Sequence, residues 1–199
     1  MTRTRGAAVL AATVALGGAA FALLAVSLPQ QARGPRFAVS FPPARSAAPL
    51  DGRVLLFLSS DSTGEPRFQI GDGPSPQLVF GIDVDGLAPG REVVVDGTVL
   101  GYPIASLRQV PAGRYRVQAL LNRYETFRRS DGHVVKLPPD RGEGQQWSRK
   151  PGNLYSTPRW ITFDPRRPNV VRLSLDQEIP PIPDPPATRY VRHERIQSE

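Results

Sequence analysis

Residues 111–121 read PAGRYRVQALL, and the fold of the chain can be argued outward from them. A Pro-Ala-Gly turn is followed by strict alternation. Tyr115, Val117, Ala119 and Leu121 fall on one face, and Arg114, Arg116 and Gln118 on the other. Side chains alternate across a strand with a period of two, so this segment is a strand with a buried face. The Pro/Gly turn that leads into a Tyr matches the corner of Greek-key sandwiches, where the ring packs at a sheet edge and its hydroxyl bonds to nearby backbone. Tyr115 is therefore a structural tyrosine-corner candidate.

Other strand-like runs surround this one. Residues 53–59, RVLLFLS, predict a buried strand, and residues 66–70 a shorter one. Residues 78–84, 92–95, 99–100, 160–163 and 170–175 complete a set of about eight, spaced roughly ten residues apart. Asp96-Gly97 between two of them is a hairpin-turn dipeptide. Past residue 30 there is no sustained helical periodicity, and residues 104–109 make at most one turn. With 22 Pro and 18 Gly in 199 residues, short strands and tight turns are favoured over long helices. The reading is all-β: a sandwich or barrel of short strands.

The N-terminus has a different character. Residues 1–5, MTRTR, are short and positive, and residues 6–27 carry no charge and are rich in Ala, Val, Leu and Gly. This is the layout of a secretory signal. Cleavage after Ser27 is expected, with an uncleaved helical anchor through residues 6–27 as the alternative. Either way the cationic end stays inside and the rest is exported. The expected location is periplasmic or extracellular, with inner-membrane anchoring if the segment is kept. Residues 28–49 read as a Pro/Ala/Arg-rich lead-in, 50–178 as the β-domain, and 179–199 as a proline-rich linker and short tail. Residues 179–186, IPPIPDPP, suit an extended spacer.

Composition excludes several functions. The chain has no Cys, hence no disulfides, no acylated lipoprotein anchor and no Cys-based zinc site. The net charge of +7 is spread over scattered Arg, often beside acids, so no nucleic-acid stripe is formed. His133 and His193 stand far apart without a partner at ligand spacing. Asp83 and Asp85 share the polar face of a strand. No G-x-S-x-G elbow occurs, and Ser156 in PGNLYSTP lacks its setting. No catalytic residue, metal or cofactor is expected.

Residues 124–158 form a long irregular insertion. It contains Tyr124, Phe127, Trp147 and Tyr155, interleaved with glycines. A loop of this size in a compact domain is functional or disordered. Its aromatics are ligand-contact candidates that would stack on a sugar or dock another domain. The plainer reading is that they close over one end of the sandwich.

Several runs come in a particular order: GRVLLFLSSD at 52–61, EPRFQIG at 65–71, VFGIDVDGLAPG at 79–90, PAGRYRVQALLNRYETF at 111–127, PGNLYS at 151–156 and LSLDQEIPPIP at 173–183. Together they resemble the N-terminal β-domain of secreted bacterial esterases of the enterochelin-esterase-like kind. The resemblance covers residues 50–199. It implies an immunoglobulin-like sandwich, a proline-rich linker and then an α/β-hydrolase domain, in cis or in trans. The sequence ends where that hydrolase domain would begin, so none of the family's catalytic residues carries over to a position here. Two expectations follow. The first is a non-catalytic module of an esterase-like protein. The second is an envelope protein that binds a glycan or peptide through its loop aromatics.

Overall fold

The computed structural model describes residues 34–71, 73, 77–183, 185–194 and 196. The targeting segment expected at residues 1–27 lies outside them. Among the described residues no helix is long and apolar enough to cross a membrane.

The described part of the chain is all-β and built from several sheets. Its described strands, in chain order, are β1 (Pro35–Ser40), β2 (Leu50–Ser59), β3 (Leu78–Leu87), β4 (Val93–Val95), β5 (Gly101–Tyr102), β6 (Gly113–Arg123), β7 (Glu125–Arg128), β8 (Val134–Leu137), β9 (Leu154–Tyr155), β10 (Arg159–Phe163), β11 (Asn169–Ser174) and β12 (Gln177–Glu178). The large sheet runs β12-β9-β6-β2-β3-β5, and β10 also pairs with β6. A second sheet has the order β11-β1-β4, and β7 and β8 form a separate two-stranded ribbon.

The alternation in residues 113–121 becomes the core. Val117, Ala119 and Leu121 of β6 join Val54, Leu56 and Leu58 of β2 on the inner face of the large sheet. Against them pack Phe37 and Val39 of β1, Val95 of β4, and Val171 and Leu173 of β11. Phe37 stacks on Phe163 of β10 with ring centroids 6.4 Å apart, and Arg159 of β10 donates to the Arg172 carbonyl of β11 at 2.6 Å. One core is thus shared by the two sheets.

The structure departs from sequence expectation in four places. The apolar stretch at 37–41, assigned above to the lead-in, is part of the folded unit. Pro35–Ser40 forms the middle strand of the second sheet, parallel to β11 and antiparallel to β4. Residues 66–70 do not form a strand. Pro66 has no N–H, the Arg67 N–H is taken by Gln118 Oε1 at 3.1 Å, and Phe68 and Gln69 bond back to Glu65 and Pro66. Pro66–Phe68 therefore closes as a 3-10 turn. Asp96-Gly97 does turn the chain, with the Asp96 carboxylate accepting from Thr98 N at 2.9 Å. Its flanking strands, however, enter different sheets, so the turn is a crossover between sheets and not a hairpin. Finally, residues 124–158 are not wholly irregular, because they contain β7, β8 and β9.

β9 and β10 form one line along β6, broken at residues 156–158. Pro158 cannot donate to the ladder. Ser156 bridges the break: its N–H donates to Ala119 O at 2.9 Å, and its Oγ accepts from Ala119 N at 2.9 Å. The hydroxyl is 2% exposed with its residue and committed to the backbone, which gives it a structural role.

Candidate functional site on the outer face of the large sheet

The outer face of the large sheet is also apolar at its centre. β2 pairs with β6 so that Leu55 faces Leu120 and Phe57 faces Gln118, and Leu120 in turn faces Tyr155 of β9. Leu55, Phe57, Leu120 and Ile179 form a second buried cluster, with Trp147 and Tyr155 packed on it. The Trp147 ring lies flat on Phe57, centroids 5.3 Å apart and planes 8° from parallel.

A polar network pins this cover to the sheet. Arg67 is 8% exposed. Its guanidinium lies between two rings, 4.3 Å from the Phe68 centroid and 4.1 Å from that of Tyr155. Its Nε donates to Glu65 Oε2 at 2.8 Å, and another nitrogen donates to Ser148 O at 2.8 Å. Gln118, fully buried, donates to Glu65 Oε2 at 2.8 Å and to Ser156 O at 3.0 Å. Burial raises the Glu65 pKa, but hydrogen bonds from Gln118 and Arg67 outweigh it and leave the carboxyl below its ordinary value.

A second polar group sits where β6 ends. Asn122 Oδ1 accepts from Lys150 Nζ at 3.3 Å and from Asn153 Nδ2 at 3.1 Å. Asn153 also donates to Trp147 O at 2.8 Å and accepts from Arg123 N at 2.9 Å. Lys150 Nζ further donates to Arg123 O. Gly52 of β2 lets the backbones of β2 and β6 approach closely here, since a Cβ there would come within 2.2 Å of the Asn122 backbone carbonyl oxygen. Lys150 is 2% exposed. Burial is the main cause that lowers its pKa to about 8, with Glu143 acting in the opposite direction.

Beside this group opens a cleft of about 450 Å³. Its walls include Arg123, Tyr124, Arg141, Lys150, Glu178 and Ile182. Arg141 is paired with Glu125, which also lines the cleft. Burial, followed by the nearby Asp83, raises the Tyr124 pKa.

The structure thus brings two of the four ligand-contact candidates together. Trp147 and Tyr155 meet on the outer cluster and are occupied in packing. Tyr124 lines the cleft instead. Phe127 of β7 is 39% exposed, faces Val135 across the ribbon and lines no part of that cleft. Tyr115 packs edge-on against Phe163, centroids 6.0 Å apart, and its hydroxyl donates to Pro111 O at 3.1 Å. Among the described residues no group of three or more His, Asp or Glu is placed to hold a metal ion.

Sequence reasoning missed Arg67, Gln118, Lys150, Asn122 and Asn153. One cue was present. Gln118, Leu120 and Asn122 continue the face of β6 that begins with Arg114 and Arg116, and a leucine between two amides there points to a stretch that is covered and polar-bonded.

Compared with protein-family models, with curated proteins and with solved structures, the chain finds no match in any of the three.

Proposed function

We propose that this chain is an exported, non-catalytic β-sandwich module of immunoglobulin type from an esterase-like protein. It orients or assists an α/β-hydrolase domain supplied in cis or in trans. The order of the sequence runs quoted above supports this reading. So do the core shared by two sheets and the Tyr115–Pro111 bond, which has the form of a tyrosine corner.

The observation that carries the proposal is how the chain leaves the large sheet. Ile179 is buried, and its backbone exchanges hydrogen bonds with Gly152 and Asn153, each 2.9 Å long. From Pro180 onward every described residue is exposed. A chain pinned at Ile179 and then extended by prolines is a tether with a fixed origin. The alternative reading, an envelope protein binding a glycan or peptide through loop aromatics, has less support because Trp147 and Tyr155 are already packed.

The test has two stages. The reading frame after codon 199, and the genes beside it, are inspected for a G-x-S-x-G hydrolase. That hydrolase domain is then assayed on p-nitrophenyl acetate with and without the purified chain. Addition in trans, or fusion in cis, should raise its kcat/KM or its Tm, and the chain alone should leave the ester intact. Unaided turnover by the chain, or a hydrolase indifferent to it, refutes the proposal.

A further inference from the structure

Two aromatic rings on the outer face of the large sheet have no part in the proposed module. Trp160 of β10 faces Arg116 across the ladder, so it shares the face that carries Gln118 and Leu120. Phe68 ends the 3-10 turn that is bonded to Gln118 on that face. Both rings are exposed, and each carries a guanidinium. Arg114 lies over Trp160, 4.7 Å from the ring centroid, and Arg149 lies over Phe68 at 5.7 Å. Arg67 joins Phe68 to Tyr155. Tyr155 faces Leu120 and Trp160 faces Arg116, an interval of about 14 Å along β6 at the rise of a strand. The two ring–arginine pairs are therefore set apart along one sheet surface.

This surface is positive, and its carboxylates are engaged. Glu65 is bonded to Arg67 and Gln118. Asp61 accepts from Thr63 N at 2.7 Å, and Asp164, just past β10, pairs with Arg167. Arg116 donates to Gly64 O at 2.8 Å. Arg114 and Arg149 have neither a carboxylate partner nor a side-chain hydrogen bond among the described residues. Arg67, Arg114, Arg116 and Arg149 thus outweigh Glu65 and Asp61. A guanidinium over a ring keeps the N–H groups at its rim, where they match a carboxylate two-fold. It also takes up a ring face on which a nucleobase would stack. Neither the cleft beside β6 nor those beside β8 and β11 have Phe68, Arg114, Arg149 or Trp160 in their walls. A face without such pockets suits flat rings in a row better than peptide side chains, whose hot spots fill pockets.

We propose that this face binds a polysaccharide that carries carboxylates, a polyuronate-type chain laid along β6 and β10. Sugar rings rest their C–H faces against Phe68 and Trp160, and Arg149 and Arg114 hold the carboxylates. The site stands independently of any hydrolase partner. It also differs from a site on the loop aromatics, because Phe68 and Trp160 lie outside residues 124–158.

The intact chain is titrated calorimetrically at neutral pH and physiological salt with four probes. Polygalacturonate carries both sugar rings and carboxylates. Dextran has the rings alone, poly-L-glutamate the carboxylates alone, and poly-dT stands for nucleic acid. Polygalacturonate should bind most tightly, and dextran should give no measurable heat. Trp160→Ala and Arg149→Gln should each weaken polygalacturonate about tenfold, the loss of one platform or one charge-assisted contact. Arg45→Gln removes the same charge from an exposed loop after β1 and should leave the affinity unchanged. Arg149→Gln alters only an exposed guanidinium, so it carries the test even if Trp160→Ala fails to fold. Poly-L-glutamate or poly-dT binding as tightly as polygalacturonate overturns the choice of a glycan. Equal losses in Arg45→Gln and Arg149→Gln reduce the effect to net charge and overturn the site. Absence of binding to polygalacturonate overturns the proposal as a whole.

Discussion

The two faces of the large sheet are both buried, but by different means. The inner face meets a second sheet, apolar against apolar, and Val54, Leu56, Leu58, Val117, Ala119 and Leu121 need only shape and hydrophobicity to do so. The outer face is covered by a loop and a 3-10 turn. Its apolar patch is small, namely Leu55, Phe57, Leu120 and Ile179, and the cover is held by hydrogen bonds from Arg67, Gln118, Asn153 and Lys150. A loop carries its own backbone polar groups, so covering a sheet with one requires polar partners that a facing sheet does not. The contrast predicts that the inner face sets global stability and the outer face sets local order.

Leu56→Ala tests the inner face and should have the largest effect. Leu56 is fully buried at the centre of β2, and removing its side chain leaves a cavity costing about 3 kcal/mol. For a domain of this size that lowers Tm by about 8–10 °C. Thermal unfolding followed by circular dichroism measures it, and a loss under about 1 kcal/mol would contradict a close-packed interior. Trp147→Ala tests the outer face. The ring is half-buried and stacked on Phe57, so about 2 kcal/mol is expected. Amide exchange should quicken in residues 143–155 and in β12 while β1 and β11 keep their protection. Uniform loss of protection would mean that the two faces are not separable.

Lys150→Met sharpens the comparison through pH. The folded pKa of Lys150, about 8, lies below the ordinary lysine value of 10.5. Between those two values the unfolded chain binds more protons than the folded one, so stability rises with pH across that window through this group. Below pH 8 both states are protonated and the contribution is flat. Tyr115 and Tyr124, whose folded pKa values are raised, act in the opposite direction at high pH, because the unfolded chain releases those protons first. The readout is therefore the difference between wild type and variant in urea midpoints from pH 7 to 10. The variant should lack the rise, and parallel curves would show that Lys150 is not held in a low-pKa setting.

The inner face was legible in sequence because its information is local. β6 alternates, and residues 53–59 form an apolar run with almost no polar position, which is what a strand buried on both faces looks like. What covers its second side was not legible, since the contacts are long-range: Trp147 over Phe57, and Arg67 beneath Tyr155. β1 escaped for a related reason. Its apolar residues Phe37, Ala38 and Val39 lie among prolines and arginines, and only pairing with β4 and β11, both distant in sequence, makes them a strand. Residues 66–70 misled because Phe and Ile carry strand propensity, whereas the decisive partner is the Gln118 side chain. Trp147 and Tyr155 stood out as aromatics in a long loop. Lys150, one polar residue among many, did not, because its environment is made by Asn122, Asn153 and the end of β6.

The smallest effect should come from Lys136→Ala. Lys136 ties the β7–β8 ribbon to β2 and β3 through Asp51 and Asp85, and its hydrogen bonds, with that from Gly86, hold Asp51 below the usual carboxylate range. These groups face water, where an ion pair gains little over its hydrated partners and salt screens what remains. Tm should therefore not shift measurably. The ribbon itself has all four residues of β7 exposed, so nothing apolar replaces the lost tie. Amide exchange in β7 and β8 should quicken in the variant, and wild-type exchange there should quicken in the same way as salt is raised. If Lys136→Ala lowers Tm as much as Trp147→Ala does, the ribbon belongs to the outer cover and the division between the two faces needs redrawing.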